Sequence, residues 1–348
     1  MMHSKRQELI LKYLCDNKTA DRDQIEQFLS KIGISTSKIT ILRDLDLLIN
    51  NNFVEKLGKA RATSYQLSKK FELLNEIDIE EYFSKEQEKR NDVKRQFNFD
   101  IFPLLFNLLT AAEKEELTSL NDLFRKKRDR LSSKLRQKEF ERITIELAWK
   151  SSRIEGNTYS LLDTERLLKE NIASQDKTAE ETQMILNHKT ALDFVLQDPS
   201  HFKELTIKKI EELHQLLTKD LGISKGIRQG IVGIIGTEYR PLDNVYQIQD
   251  ALIQLISIIN RIEFPLEKAL IAVLMISYIQ PFEDGNKRTS RILGNAILMA
   301  HNYCPLSYRS INEIEYKKAT ILFYEQNNMF YFKKLFLEQF RQAIENYF

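Results

Sequence analysis

Apolar residues recur along most of this chain at the spacing of one helix face, and they predict helix after helix from residue 97 to residue 348. Residues 266–279 are apolar nearly all round, which predicts a helix that is buried on most of its sides. Glycine and proline are scarce, with 10 and 6 positions among 348 residues. We therefore expect a mostly α fold, and no internal repeat is evident.

The first 70 residues carry a different pattern, with three predicted helices followed by a hairpin. Residues 5–16 show an amphipathic stripe, Asp21 caps the second helix, and residues 35–37 begin the third. The third helix takes its apolar positions from seven residues: Ile39, Ile41, Leu42, Leu45, Leu47, Leu48 and Ile49. Residues 53–57 and 63–67 are predicted to be two strands joined by a basic loop. This order predicts a winged helix-turn-helix domain over residues 1–70.

A winged helix-turn-helix domain places its third helix in a DNA major groove and its wing loop on backbone phosphates. The residues expected to contact DNA are Ser37, Lys38, Thr40, Arg43, Lys59 and Arg61. The unit has 13 basic and 8 acidic residues, which is a modest excess, and Asp44 and Asp46 lie close to the proposed reading face. The alternative is therefore a module for protein interaction or dimerisation.

Residues 71–138 are predicted to be a charged helical linker region, in which residues 85–95 form a solvated helix. The net charge of the whole chain, +2, gives no general reason to expect nucleic acid. The longest uncharged apolar run, residues 269–282, is shorter than the roughly 20 residues that cross a membrane. Two cysteines without metal-type spacing predict a reducing, cytoplasmic location.

The run QPFEDGNKRTSR, residues 280–291, is predicted to hold phosphates. Pro281 ends the buried helix, because its ring excludes the i→i−4 bond, and the next helix begins at about Asn286. Free backbone N–H groups converge on anions at such a helix start. Arg288 and Arg291 share one helix face and can both reach a polyphosphate. The alternative is a charged turn that binds no ligand.

The same run offers a metal ligand but no base. Asp284 is placed to hold Mg²⁺ through one oxygen, with phosphate oxygens and water completing the shell. Gln280 carries an amide, which has no useful pKa and cannot accept a proton. None of the five histidines falls in the run, and His214 is expected to be a packed helical residue.

An amphipathic helix is predicted over about residues 139–156, because Gly156 and Asn157 form a stop signal after a periodic run. Glu155 then lies on the last turn, with Ser151 one turn earlier on the same face. The helix dipole is unfavourable for a carboxylate at a helix C-terminus, so Glu155 is expected to pair with a cation from another part of the chain. An ordinary surface salt bridge or helix end is the alternative.

Five of the ten glycines lie between residues 222 and 236, so turns and strands are expected in this region alone. A short β-hairpin is predicted over about residues 230–241. Its expected flap residues are Ile231, Val232, Gly233, Ile234, Ile235 and Gly236. An exposed hairpin edge is a template for an added peptide strand. A purely structural hairpin packed on the helices is the alternative.

Residues 280–291 resemble the signature of the Fic family, His-Pro-Phe-x-Asp/Glu-Gly-Asn-Gly-Arg-x-x-Arg. The resemblance implies an all-helical Fic core over residues 139–348 that carries a β-hairpin flap. Most members transfer AMP from ATP to a hydroxyl of a target protein. By this resemblance, Asp284 would hold Mg²⁺, and Asn286 and the Gly285 backbone would bind the phosphates. Arg288 would orient the phosphates, and Arg291 would reach the γ-phosphate.

Two positions depart from the signature. Gln280 stands where the family has its general base, and losing such a base typically costs roughly 10²–10⁴ in rate. Lys287 replaces the second glycine and is counted among the residues that bind the nucleotide. A toxin branch of the superfamily that has lysine here phosphorylates its target, so the transferred group stays open between AMP and phosphate.

The segment from Ser151 to Gly156 resembles the family's inhibitory motif, Ser/Thr-x-x-x-Glu-Gly/Asn. The resemblance implies that Glu155 pairs with Arg291 and displaces the γ-phosphate, and that the flap clamps the target segment beside the site. We therefore expect a cytoplasmic Mg·ATP-binding Fic-type protein adenylyltransferase, autoinhibited by Glu155 and weak or inactive because of Gln280. The alternative is a DNA-binding transcriptional regulator with a non-catalytic, ATP-sensing core. The target protein, the operator and a homodimer stay open.

Overall fold

The computed structural model describes residues 4–59, 62–90 and 93–348, so Arg61 lies outside the described residues. The chain divides into two compact units. The first comprises Met1–Ile77 with Leu108–Glu113, and the second comprises Asp78–Asn107 with Lys114–Phe348. The region expected to be a linker, residues 71–138, is thus shared between the two units.

The first unit contains four helices and a small sheet, and its first three helices are followed by two strands, as the sequence predicts. Its elements are α1 Lys5–Asn17, β1 Thr19–Ala20, α2 Arg22–Lys31, α3 Lys38–Asn50, β2 Val54–Leu57, β3 Ser64–Leu67 and α4 Phe71–Leu74. The strands form an antiparallel sheet in the order β1-β3-β2. Side chains of Ser4, Asp21 and Ser37 cap the first three helices by accepting backbone N–H groups. That this unit is a winged helix domain that binds DNA stays a prediction.

Helices make up most of the second unit, so the predicted mostly α fold is confirmed. They are α5 Ile79–Ser84, α6 Ala111–Arg130 (which begins in the first unit), α7 Ser133–Ile154, α8 Leu161–Glu170, α9 Ala179–Gln197, α10 Ile207–Leu217, α11 Val245–Arg261, α12 Pro265–Ile279, α13 Asn286–Ala300, α14 Glu313–Gln326 and α15 Phe330–Asn346. No helix among the described residues is long and apolar enough to cross a membrane.

The centre of the second unit is the antiparallel pair α12 and α13. All residues of α12 from Leu266 to Ile279 are buried, as the unbroken apolar run predicts. Gly294 of α13 allows the close approach, since a Cβ there would lie 2.5 Å from the side chain of Val273. The tight packing fixes the loop between the two helices, which carries residues 280–285.

The segment expected to form the flap has the predicted turn but no strand ladder of its own. The turn falls at Ile235 and Gly236, and no strand is assigned between residues 231 and 239. The chain's described antiparallel sheet lies in the first unit instead. Three glycines, at 230, 233 and 236, weaken strand formation, and an isolated two-stranded hairpin is marginal in water.

Candidate functional site

The loop between α12 and α13 is held in an unusual backbone conformation. Gln280 (φ 51°) and Gly285 (φ 77°) are both in the left-handed region. A Cβ at Gly285 would lie 2.9 Å from Cγ2 of Thr218. This position therefore requires glycine, both for its φ and for the close approach.

Asn286 shapes the loop with its side chain. Its Nδ2 donates to the carbonyl oxygen of Phe282 (2.8 Å) and to Oε1 of Gln280 (3.0 Å), while its Oδ1 accepts the N–H of Phe282 (2.8 Å). Asn286 is also the first residue of α13, and the first N–H groups of a helix have no partner within it. Those groups can bind an anion in front of the helix.

His214 of α10 supports the loop from the other side. Its ring stacks on Phe282 with 3.8 Å between centroids, and its Nε2 donates to the carbonyl oxygen of Asp284 (2.9 Å). Burial lowers the pKa of His214, so the ring is neutral and this bond assigns its proton to Nε2. The packed position was expected, but its contact with the loop left no signal in the sequence.

Arg288 is a buried cation with an incomplete set of partners. Its Nη2 donates to Oδ2 of Asp284 (2.9 Å), whose side chain is 68% exposed. Its Nη1 is buried and has no hydrogen-bond partner among the described residues. Leaving a buried charged donor unpaired costs roughly 1–3 kcal/mol or more, so the geometry favours an anionic ligand at this nitrogen.

Arg291 is fully buried and is held by the end of α7. Its Nη2 donates to Oε1 of Glu155 (2.8 Å) and to the carbonyl oxygen of Ser151 (2.9 Å), and its Nε donates to Oγ of Ser151 (2.9 Å). The second carboxylate oxygen of Glu155 lies 3.9 Å from Nζ of Lys287. Burial opposes ionisation, but the charges of Arg291 and Lys287 outweigh it and hold the pKa of Glu155 below its usual value. Glu155 is thus ionised and forms an ion pair with the guanidinium of Arg291.

His188 of α9 continues this network, and sequence reasoning missed it. Its Nε2 lies 2.9 Å from Oγ of Ser151, and its Nδ1 lies 2.9 Å from the carbonyl oxygen of Met184. Because a carbonyl only accepts, Nδ1 carries the proton and Nε2 accepts from the Ser151 hydroxyl. The hydroxyl oxygen is then free to accept from Arg291, so His188 fixes the direction of that bond.

The buried His188 predicts a defined dependence of stability on pH. Burial, with help from the charges of Arg288 and Arg291, lowers the pKa of His188 from 6.5 to about 3. The unfolded state therefore binds the proton first, and stability is lost as pH falls from 6.5 towards 3. Between about pH 7 and 4.5, urea unfolding of the wild type should lose about 2.5 kcal/mol more than that of His188→Gln. Equal losses in both chains would contradict this role.

The loop, the end of α7 and the flap segment line one cavity of about 380 Å³, a size typical of ligand pockets. Its lining includes Glu155, Val232, Gly233, Ile234, Ile235, Gln280, Asp284, Gly285, Asn286, Lys287 and Arg288. Of the other residues proposed from the sequence, Ser151 and Arg291 are buried behind this lining, and Ile231 is exposed to solvent. Gly156 follows the C-terminus of α7 with φ 101°.

Position 280, where the family has its histidine, offers the cavity no base. Gln280 donates through Nε2 to the carbonyl oxygen of Ser277 (2.7 Å) and accepts through Oε1 from Asn286, so its amide is engaged within the loop. Burial raises the pKa of Tyr316 and of Tyr324, two phenols that line the cavity, above their usual value. None of the histidines in the described part of the chain lines the cavity.

Arg228 anchors the base of the flap, and it too was missed. Its Nε donates to the carbonyl oxygen of Gln280 (2.7 Å), its Nη1 to that of Gly230 (2.6 Å), and its Nη2 to that of Leu242. The flap is also tied at its tip, where Nη1 of Arg90 donates to the carbonyl oxygen of Gly236 (3.0 Å). Main-chain acceptors leave no mark in a sequence, so neither contact could be predicted.

Three of the residues proposed for DNA contact already have partners within the first unit. The hydroxyls of Ser37 and Thr40 lie 2.9 Å apart, and Nζ of Lys38 lies 3.8 Å from Asp23 of α2 and 3.9 Å from Glu26. Arg43 and Lys59 are exposed.

The site as a whole combines the start of α13 with two buried guanidinium groups, an arrangement that suits an anionic ligand. Comparison with known proteins shows which family this part of the chain is similar to. Residues 204–298 match the model of the Fic/DOC family.

Similar proteins extend this finding beyond the matched segment. A protein adenylyltransferase Fic of Drosophila ananassae is 32% identical over 156 residues, which cover 44% of this chain and 31% of that protein. The Drosophila grimshawi protein of the same name is 30% identical over 209 residues, covering 58% and 42%. The chain therefore spans less than half the length of these curated relatives. Fic-1 from C. elegans (residues 134–508) shares the fold, with a TM-score of 0.58 and 22% identity over 68% of this chain and 71% of that one.

Proposed function

We propose that this chain is a Mg·ATP-binding Fic-type protein adenylyltransferase that is autoinhibited by Glu155 and weak or inactive because of Gln280. One observation carries the proposal: a buried guanidinium nitrogen of Arg288 lacks a partner beside Arg291, whose partner is a carboxylate from α7. A carboxylate on a buried arginine is a natural stand-in for a phosphate. Relatives named protein adenylyltransferase support the choice of ATP.

The residues present suit Mg²⁺ held by a single carboxylate and by phosphate. Asp284 presents an exposed carboxylate at the cavity, next to Arg288. No group of three or more histidine, cysteine or acidic side chains suited to a metal occurs among the described residues. Mg²⁺ commonly binds one or two carboxylates together with substrate phosphates, and there it neutralises phosphate charge.

The chain's own residues would divide the work as follows. First-turn amides of α13 and Arg288 bind the phosphates, and Arg291 takes the γ-phosphate once Glu155 has left. A target hydroxyl would attack the α-phosphorus, and pyrophosphate would leave. The hydroxyl proton needs an acceptor, which Gln280 cannot provide. Binding is therefore expected to survive in this chain, and turnover to be impaired.

The flap segment supports a docking place for an extended target segment. Its second arm is tied to the chain itself, since the N–H of Arg240 donates to the carbonyl oxygen of Arg95 (2.9 Å) and Arg90 holds Gly236. Its first arm carries the exposed side chain of Ile231, and the turn that follows carries that of Ile235. An added peptide strand would pair with this first arm and meet apolar side chains there.

A second candidate function is an ATP-sensing core that performs no catalysis. The engaged amide of Gln280 favours it, because the loop is complete without a base and the cavity still presents its cationic groups. In such a protein, ATP binding alone would be the signal. Restoring a histidine at position 280 distinguishes the two candidates.

Calorimetric titration of Mg·ATP tests the proposal. We expect Glu155→Gly to bind Mg·ATP at least about tenfold more tightly than the wild type, a gain of about 1.4 kcal/mol, because Arg291 is released. Glu313→Gly is the matched control, since Glu313 pairs with Lys150 (2.8 Å) and Arg153 (3.0 Å), and none of these three residues lines the cavity. That variant should bind like the wild type. Absence of binding to all three chains would reject the proposal.

A further inference from the structure

The exposed face of α3 is unusually apolar for a helix that is expected to read DNA. Its inner face packs Ile41, Leu45 and Leu48 into the core of the first unit. On the opposite face, Ile39 is 65% exposed and Leu47 is 51% exposed. A periodic helix of this length needs only one apolar face to fold, so the second apolar face has another use.

The outer face of α3 carries few groups that could contact nucleic acid. Its exposed residues are Lys38, Ile39, Leu42, Arg43, Asp46, Leu47 and Asn50. Base edges and phosphates are bound by arginine, lysine and amide side chains, whereas an exposed aspartate is repelled by phosphate. Lys38 already lies near Asp23 and Glu26 of the same unit. These features favour a protein partner over DNA.

The order of residues along this face is self-complementary. In an antiparallel pair of α3 helices related by a two-fold axis midway between residues 44 and 45, Arg43 is level with Asp46 of the other copy. In a two-fold contact of this kind, each favourable pair of residues occurs twice. Like charges do not lie opposite one another in this arrangement. Neither Arg43 nor Asp46 has an ion pair among the described residues.

We propose that the outer face of α3 docks on the same face of a second copy of this chain. Apolar contacts of Ile39, Leu42 and Leu47 would stabilise the dimer, and the Arg43–Asp46 pairs would set its antiparallel register. One helix face buries less area than the roughly 1,200–2,000 Å² of a standard interface, so the dimer should be weak and depend on concentration.

Sedimentation velocity of the full chain over about 1–100 µM tests this proposal. The wild type should shift from monomer to dimer across the range, and Arg43→Asp or Asp46→Arg should each weaken the dimer at least about tenfold. The double variant Arg43→Asp with Asp46→Arg recreates the pairs across the axis and should recover the dimer. Lys12→Asp, a charge reversal at an exposed position of α1, is the control and should behave like the wild type.

Three results would overturn the proposal. If the wild type stays monomeric over the whole concentration range, the partner of α3 is not a second copy of this chain. A double variant as weak as the single variants shows that Arg43 does not meet Asp46. A gel shift of the wild type with a pool of random DNA duplexes, abolished by Arg43→Asp, assigns the face to DNA instead.

Discussion

Restoring histidine at position 280 in a Glu155→Gly chain should raise nucleotide transfer to protein by about 10²–10⁴-fold, the usual contribution of a general base. The position lines the cavity at the end of α12, beside the start of α13. An imidazole there would reach the mouth of the phosphate site, and Glu155→Gly would free Arg291. The assay is the incorporation of label from ATP into proteins of a lysate.

The matched control for this experiment is Gln280→Ala in the same Glu155→Gly chain, which also removes the amide but adds no base. It should stay as inactive as the parent. Label at the α-phosphate would report AMP transfer, and label at the γ-phosphate would report the phosphate transfer that Lys287 leaves open. A histidine variant that binds Mg·ATP and transfers neither label would contradict the adenylyltransferase proposal and favour the ATP sensor.

Removing the guanidinium of Arg228 should cause the largest loss of stability. Arg228→Met keeps the apolar stem but leaves the carbonyl oxygens of Gly230, Gln280 and Leu242 without their donor. Hydrogen bonds to charged groups contribute about 1.5–3 kcal/mol each, and burial of unpaired carbonyls adds to the loss. We expect the melting temperature to fall by roughly 5–10 °C in a domain of this size.

Arg240→Met is the control for Arg228→Met, because Arg240 lies in the same segment with an exposed side chain. It should change the melting temperature little. Hydrogen exchange at residues 229–242 should also be faster in Arg228→Met alone, since Arg228 ties both ends of the flap to α12. Equal stability of the two variants would show that Arg228 is not the anchor.

The parts of the site that lie close together in the sequence could be predicted from it. The unbroken apolar run gives α12, Pro281 gives its end, and Gly285 gives the turn that opens α13. Local signals sufficed here because each feature depends on neighbouring residues. The contact between Glu155 and Arg291, 136 residues apart, was reached through a family resemblance rather than through any local pattern.

The supporting residues could not be predicted, because their partners are distant and mostly main-chain atoms. His188, His214 and Arg228 each hold the site through such contacts. Helix α3 was hard to interpret for a different reason. Apolar residues lie all around this short helix, so its sequence predicts a helix but does not indicate which face is buried. Ile39 and Leu47 counted towards the expected helix, and both are exposed.

The central claim is that Arg288 and Arg291 form a triphosphate site in which Glu155 takes the place of the γ-phosphate. Titrating ADP beside ATP into the wild type and Glu155→Gly tests it most directly. The substitution should strengthen ATP binding and leave ADP binding nearly unchanged, because only ATP has a group for Arg291. An equal gain for both nucleotides, or none for either, would contradict the claim.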